Sequence, residues 1–289
     1  MRVLTPKKKP APVCNALSID VEDYYMVSAF AGEVRFEDWH AYDSRVEHNT
    51  NRILALLEEF GVKATFFILG WVAERNRNLV CDIHKAGHEV ACHGYSHRLV
   101  YKMSPEEFRE DVRKAKGILE DMSGAVVAGY RAASYSIIKE TLWALDILIE
   151  EGFSYDSSIF PIRHDLYGIP GASRFGHRIQ RDGGEIIEIP PATLRVLGQN
   201  VPVAGGGYFR LYPRLLTSLA IKWINEKERE PVVVYLHPWE IDPDQPKMKG
   251  GLKSRFRHYI NLDSTFPKLR HFLGELSFGP MADISTLVH

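Results

Sequence analysis

Cysteine is scarce in this 289-residue chain: only Cys14, Cys81 and Cys92 occur. Their number is odd and no two share a paired spacing, which excludes a disulfide framework and suits a reducing compartment. No apolar run approaches the ~20 residues that cross a bilayer. The N-terminus is charged and proline-bearing before Asp20 and has no apolar core of a secretory signal, so a cytoplasmic protein is expected. An excess of one charge is missing too: 36 Lys and Arg face 37 Asp and Glu. That balance excludes the basic face of a phosphate-tracking nucleic-acid binder. The one basic run, Lys7-Lys8-Lys9 between Pro6 and Pro10, reads as part of a solvated, disordered tail over 1–13. Internal repeats and low-complexity tracts are absent. What remains is an ordinary globular composition, 45% hydrophobic and 11% aromatic, long enough to bury a core without disulfide or metal.

The patterning alternates strand and helix. Residues 13–21 form a short apolar run ending in Asp20, Glu22 and Asp23, as a buried strand does when its tip opens into a site. Residues 44–60 carry Ile53, Leu56, Leu57 and Phe60 on one stripe and stop at Gly61, a helix. KATFFILG follows as a second strand, 71–86 as a helix, and HEVAC (88–92) as a third strand. Ser104-Pro105-Glu106-Glu107 starts a helix with an N-cap, a proline in the first turn and early acids; it runs to about Met122 before Gly124. AVVAGYR (125–131) reads as a fourth strand and 137–151 as a helix. Residues 153–211 are rich in Gly and Pro, with a short strand at EIIEIP and a turn at Gly205-Gly206-Gly207. A helix over 212–227 and a strand in PVVVYLHP (231–238) follow; the path of 240–289 has no clear pattern. Such alternation implies βαβ units and a parallel sheet or barrel.

Sites in such folds lie at the C-terminal strand ends. Those ends offer Asp20, Glu22 and Asp23 from the first strand, His93 and His97 after the third, Arg131 after the fourth and His237 after the last. Acids, a histidine pair, an arginine and a lone histidine on one rim are the makings of a hydrolytic metal site. HEVACHGYSH fails the zinc-protease pattern H-E-x-x-H, because the fifth residue is Cys92. His93 and His97 instead sit in a loop opened by Gly94, which still lets two imidazoles close on one ion. Two histidines and one carboxylate leave positions open for water and substrate. His84, His88, His164, His177 and His289 are read as ordinary core or surface residues.

SID-VED (18–23), HGYSH (93–97), Arg131-Ala-Ala-Ser, YDSSI (155–159) and YLHP (235–238) occur in an order that resembles the NodB-homology polysaccharide deacetylases, carbohydrate esterase family 4. GGGYFR (205–210), HPWEIDPDQP (237–246) and FRHYINL (256–262) resemble the C-terminal extension of the branch found in exosortase-linked (PEP-CTERM) exopolysaccharide loci. The resemblance implies an α/β fold, a distorted, incomplete (β/α) barrel of about seven parallel strands over 14–240, with an extension at 241–289 packed on it. It implies a divalent metal, zinc or else cobalt, nickel or manganese, held by His93, His97 and one acid. Asp20 matches the general base, Arg131 the arginine paired with it, His237 the general acid and Asp156 the acid that tunes the histidine. Leu236 would line an acetyl pocket. The family has two adjacent aspartates where this chain has Asp20-Val-Glu-Asp23. Strand alternation favours Glu22 as the acidic ligand, and Asp23 reaches instead if the strand has already ended. Tyr135, Tyr208 and Trp239 are candidates for stacking on a sugar, against ordinary packing as the competing reading.

The expected chemistry is hydrolytic removal of N-acetyl groups from amino sugars of a bacterial exopolysaccharide or its precursor. The partner is then an N-acetylated oligo- or polysaccharide, with oligomeric state unreadable. Two other readings compete: an amidohydrolase acting on a small cyclic amide or ureide on the same scaffold, and a carbohydrate-binding homologue without catalysis. The presence of both an acid and a base candidate speaks against the last, because binding needs neither.

Overall fold

The computed structural model describes residues 12–286 and residue 288; of the expected tail at 1–13, only the last two residues lie within them. The first apolar run becomes β1 (Asn15–Val21), buried over its whole length. Helix α1 (Val46–Phe60) follows and ends at Gly61, where φ is 63°. Next come β2 (Thr65–Ile68), α2 (Gly70–Arg75), α3 (Arg77–Lys85) and β3 (Glu89–Cys92). The helix expected over 71–86 is broken at Asn76, whose side chain turns back to Val72 O at 2.9 Å; an asparagine that competes for the backbone in this way favours a helix end.

Helix α4 (Pro105–Ser123) starts on a complete capping box between Ser104 and Glu107 and stops at Gly124. The fourth strand shrinks to β4 (Gly129–Tyr130), because Glu120 Oε1 takes the N–H of Val127 at 3.0 Å before any ladder can. Helix α5 (Trp143–Glu150) and β5 (Tyr155–Asp156) complete this half. The Gly- and Pro-rich region holds two hairpins, β6 (His177–Arg181) with β7 (Gly184–Glu188) and β8 (Thr193–Val196) with β9 (Gln199–Pro202). The glycine run is no free turn: it enters α6 (Gly206–Leu211). α7 (Arg214–Trp223), β10 (Val233–Leu236), α8 (Leu252–Tyr259), α9 (Leu262–Glu275), β11 (Phe278–Gly279) and α10 (Met281–Ser285) follow.

The main sheet runs β10-β1-β2-β3-β4-β5-β7-β6, and only the edge strand β6 is antiparallel to its neighbour. The path is open: among the described residues β10 and β6 do not pair. This is the expected incomplete barrel, with seven strands running parallel from β10 to β7. Late in the chain, β11 adds beside Asn15 and Ala16 of β1. α10 then covers the N-terminal strand ends, with Met281 N–H donating to Thr65 Oγ1 at 2.7 Å and Ala282 N–H to Glu89 Oε2 at 3.0 Å.

Candidate active site

Pleating sets which residues of β1 meet. Val21 points into the core, and Asp20 and Glu22 project together into a cleft of about 620 Å³ at the C-terminal strand ends. Asp23 turns the other way. Its Oδ2 accepts hydrogen bonds from Ser44 Oγ (2.8 Å), Arg45 N–H (2.9 Å) and Val46 N–H (3.2 Å), so it closes the N-terminus of α1. Of the two acids left open as ligands, the structure therefore brings Glu22 to the histidines.

The histidine turn is held from below. Gly94 adopts φ +76°, and a Cβ there would meet Asp111 Oδ2 at 2.8 Å. That oxygen is occupied by the N–H of Tyr95 at 2.8 Å, which pins the turn to α4. His97 itself sits at φ 54°, a strained value for a non-glycine residue that such anchoring sustains. His93 donates from Nδ1 to Arg131 O at 2.7 Å, which leaves Nε2 with its lone pair towards the cleft. Burial pushes His93 down to about 4, keeping it neutral, as a metal ligand must be.

One donor atom each from Glu22, His93 and His97 lies within 4.8 Å of the others. Glu22 Oε2 is 2.8 Å from His97 Nε2, yet it has no aligned hydrogen bond although it is buried. Burial opposes ionisation of Glu22, but the facing His97, His237 and His93 hold it far below the usual carboxylate range. An ionised carboxylate and two imidazoles with an unbonded oxygen between them fit a divalent cation of the zinc class.

Around this trio the other groups are fixed. Arg131 is fully buried; its Nη1 donates to Asp20 Oδ1 at 2.6 Å and to Ser18 Oγ at 2.8 Å. Its Nη2 donates to Ser157 Oγ at 2.9 Å. His237 Nε2 stands 3.9 Å from Asp20 Oδ2 and 3.5 Å from Glu22 Oε1. Burial would lower His237, but the carboxylates of Glu22, Glu240 and Asp20 prevail and raise it to about 9.

Three expectations change. The acid on His237 is Glu240, whose Oε2 is 3.0 Å from Nδ1. Asp156 makes no contact with that histidine; it lies on β5 with its Oδ1 accepting from Ser158 Oγ, next to Glu188 on β7. Leu236 does not face the cleft either, since alternation along β10 directs Tyr235 and His237 inward and Leu236 into the core. Tyr208 lies outside the cleft wall, stacked against Tyr212, whereas Tyr135 and Trp239 line it. Trp239 donates from Nε1 to Glu22 Oε1 at 3.2 Å and stacks on His258. Glu240 was readable in principle: His237-Pro-Trp-Glu240 has the spacing of a capping box, and its backbone bond to His237 N–H is made at 3.0 Å. Behind it, Arg210 Nε donates to Glu240 Oε1 at 2.6 Å.

Residues 36–148 match the polysaccharide deacetylase family model, and 157–286 match a domain of unknown function, DUF3473. The His93–His97 turn and Arg131 fall in the first match, His237 and Glu240 in the second, and Asp20 and Glu22 in neither. A peptidoglycan-N-acetylglucosamine deacetylase of Bacillus cereus is 32% identical over 120 residues, 37% of this chain and 44% of that protein. The chain thus spans less than half the length of that relative. A Mycobacterium smegmatis structure described as a polysaccharide deacetylase superposes with a TM-score of 0.62 at 19% identity, covering 96% of this chain and 93% of the other. The Puue allantoinase superposes with a TM-score of 0.63 at 16% identity over the same shares. At such identities the two likenesses are of fold.

Proposed function

From the polysaccharide deacetylase domain of NodB-homology type that this chain carries, we propose that it hydrolyses N-acetyl groups on the amino sugars of an oligo- or polysaccharide, a bacterial exopolysaccharide or its precursor. The observation that carries the reading is the meeting of Glu22, His93 and His97 beside a separate Asp20–Arg131 pair and His237. A divalent cation, zinc by preference, would be held by those three side chains; it supplies a Lewis acid that polarises the carbonyl and makes hydroxide available near neutral pH. Arg131 orients the Asp20 carboxylate, which takes the proton of the attacking water. The C–N bond then breaks as His237 passes its Nε2 proton to the departing amine, releasing acetate and the free amino sugar. General acid–base assistance of this kind is worth roughly 10²–10⁴-fold. Glu240 keeps the Nδ1 proton in place and so presents Nε2–H to the cleft.

The walls suit a sugar. Tyr101, Tyr135, Tyr167, Tyr235 and Trp239 face a space of about 620 Å³, more than a small cyclic ureide needs. The allantoinase-like fold makes ring opening of such a ureide the reading to test against. Purified protein should release acetate from N-acetylhexosamine oligomers, lose that activity to a chelator and regain it with zinc. In His97→Ala the activity should fall at least ~10²-fold. Ring opening of a cyclic ureide without acetate release, or full activity of His97→Ala in chelated buffer, would remove the proposal.

A further inference from the structure

Residues 245–258 read QPKMKGGLKSRFRH: five Lys and Arg and no acid, in a chain whose charges balance as a whole. They form a loop and the eight-residue α8, tied together by Tyr259, whose hydroxyl accepts the N–H of Met248 at 2.6 Å and whose ring carries Lys247 at 4.3 Å. At 100° per residue, three directions separate on α8. Ser254, Arg257 and His258 line the cleft. Leu252 and Phe256 lie on the opposite side, 85% and 64% exposed. Lys253 flanks that apolar ridge on one side and Arg255 on the other. Among the described residues no carboxylate forms an ion pair with the Lys253 or Arg255 side chain. The helix end is firmly anchored, because Arg210 donates to the carbonyls of Arg257, His258 and Ile260.

An apolar ridge with basic flanks on a rigidly docked helix is the pattern that lies in a lipid–water interface, the ridge among the acyl chains and the cations at anionic headgroups. A protein partner fits less well, since a ridge of two side chains is far below the ~800 Å² that each side of a stable interface contributes. We infer that α8 and the loop before it seat this protein on an anionic membrane surface. The inference goes beyond the proposed reaction and does not depend on it.

Sedimentation of the full chain with vesicles tests it. The protein should bind vesicles of phosphatidylcholine mixed with phosphatidylglycerol and bind those of phosphatidylcholine alone at least several-fold less. Adding salt should release it. Leu252→Ser with Phe256→Ser should weaken binding roughly tenfold even at low salt, with an unchanged circular dichroism spectrum. Lys253→Glu with Arg255→Glu should abolish the preference for the anionic lipid. Equal binding to both vesicles overturns the inference. So does anionic-vesicle binding that the apolar double variant leaves intact, because this would be adsorption of charge alone.

Discussion

Single residues divide labour between neighbours in ways their order conceals. Glu22 and Asp23 are adjacent acids, yet one joins the histidines and the other caps a helix. Glu22→Ala should therefore abolish the proposed binding of a divalent metal, measured by metal analysis of the protein dialysed after loading. Asp23→Ala should retain the metal and lose about 1 kcal/mol of stability, the ordinary worth of a cap, read from urea unfolding. His237 offers a second case. Its raised value of about 9 depends in part on Glu240, so Glu240→Gln lowers it. In the proposed role of general acid His237 must be protonated to work; the alkaline limb of kcat/KM should then move to lower pH, with kcat falling and KM little changed. A limb that stays in place would exclude Glu240 as the group that sets this proton. The catalytic candidates were legible because they end strands: Asp20, His93, Arg131 and His237 fall where apolar runs stop. Asp156 and Leu236 were misplaced for want of a register. Only the pairing of β5 with β7 and the pleat of β10 reveal which way they face.

Among the elements, long periodic segments were readable and short irregular ones were not. α1 and α4 carry an apolar stripe and a stop signal, and both form near the expected limits. Of the β6–β7 hairpin only the second strand was readable, because HRIQR (177–181) offers a single apolar residue to mark the first. The β8–β9 turn puts Leu197 at φ 49° before Gly198 at φ 80°, and a leucine gives no hint of a left-handed conformation. The pairing of β5 with β7 also sets Asp156 opposite Glu188, both fully buried. Burial raises Asp156 to about 6, with hydrogen bonds from Glu188 and Ser158 offsetting part of it; burial and then the charge of Asp156 raise Glu188 well above the carboxylate range. Folded values above unfolded ones mean that the pair's stabilisation is complete below pH ~4 and is lost as pH rises through about 6. Glu188→Gln, which keeps a donor without a proton to lose, should raise the thermal midpoint by about 2–4 °C at pH 8 and leave it nearly unchanged at pH 5.

For the whole molecule, the late segments act on the site from beneath. Met281 is fully buried, and its Sδ accepts from Arg131 Nη2 at 3.4 Å. Met281→Ala should cost about 2–5 kcal/mol, seen in chemical unfolding, and should also lower kcat by loosening Arg131 against Asp20; unchanged kcat at full occupancy of the folded state would disconnect the two. This long-range support was invisible in the sequence, where 240–289 shows no clear period, because its strand is two residues long and takes its place only beside an existing β1. No described helix is long and apolar enough to cross a membrane. The union of β1 with β11 has a consequence for synthesis. Asn15 and Ala16 leave the ribosome well before Phe278 and Gly279 and wait for them before their edge is filled. A nascent chain can gather its upper rim while its base still gapes, so the site gains its full support only once Phe278 and Gly279 have docked beside β1.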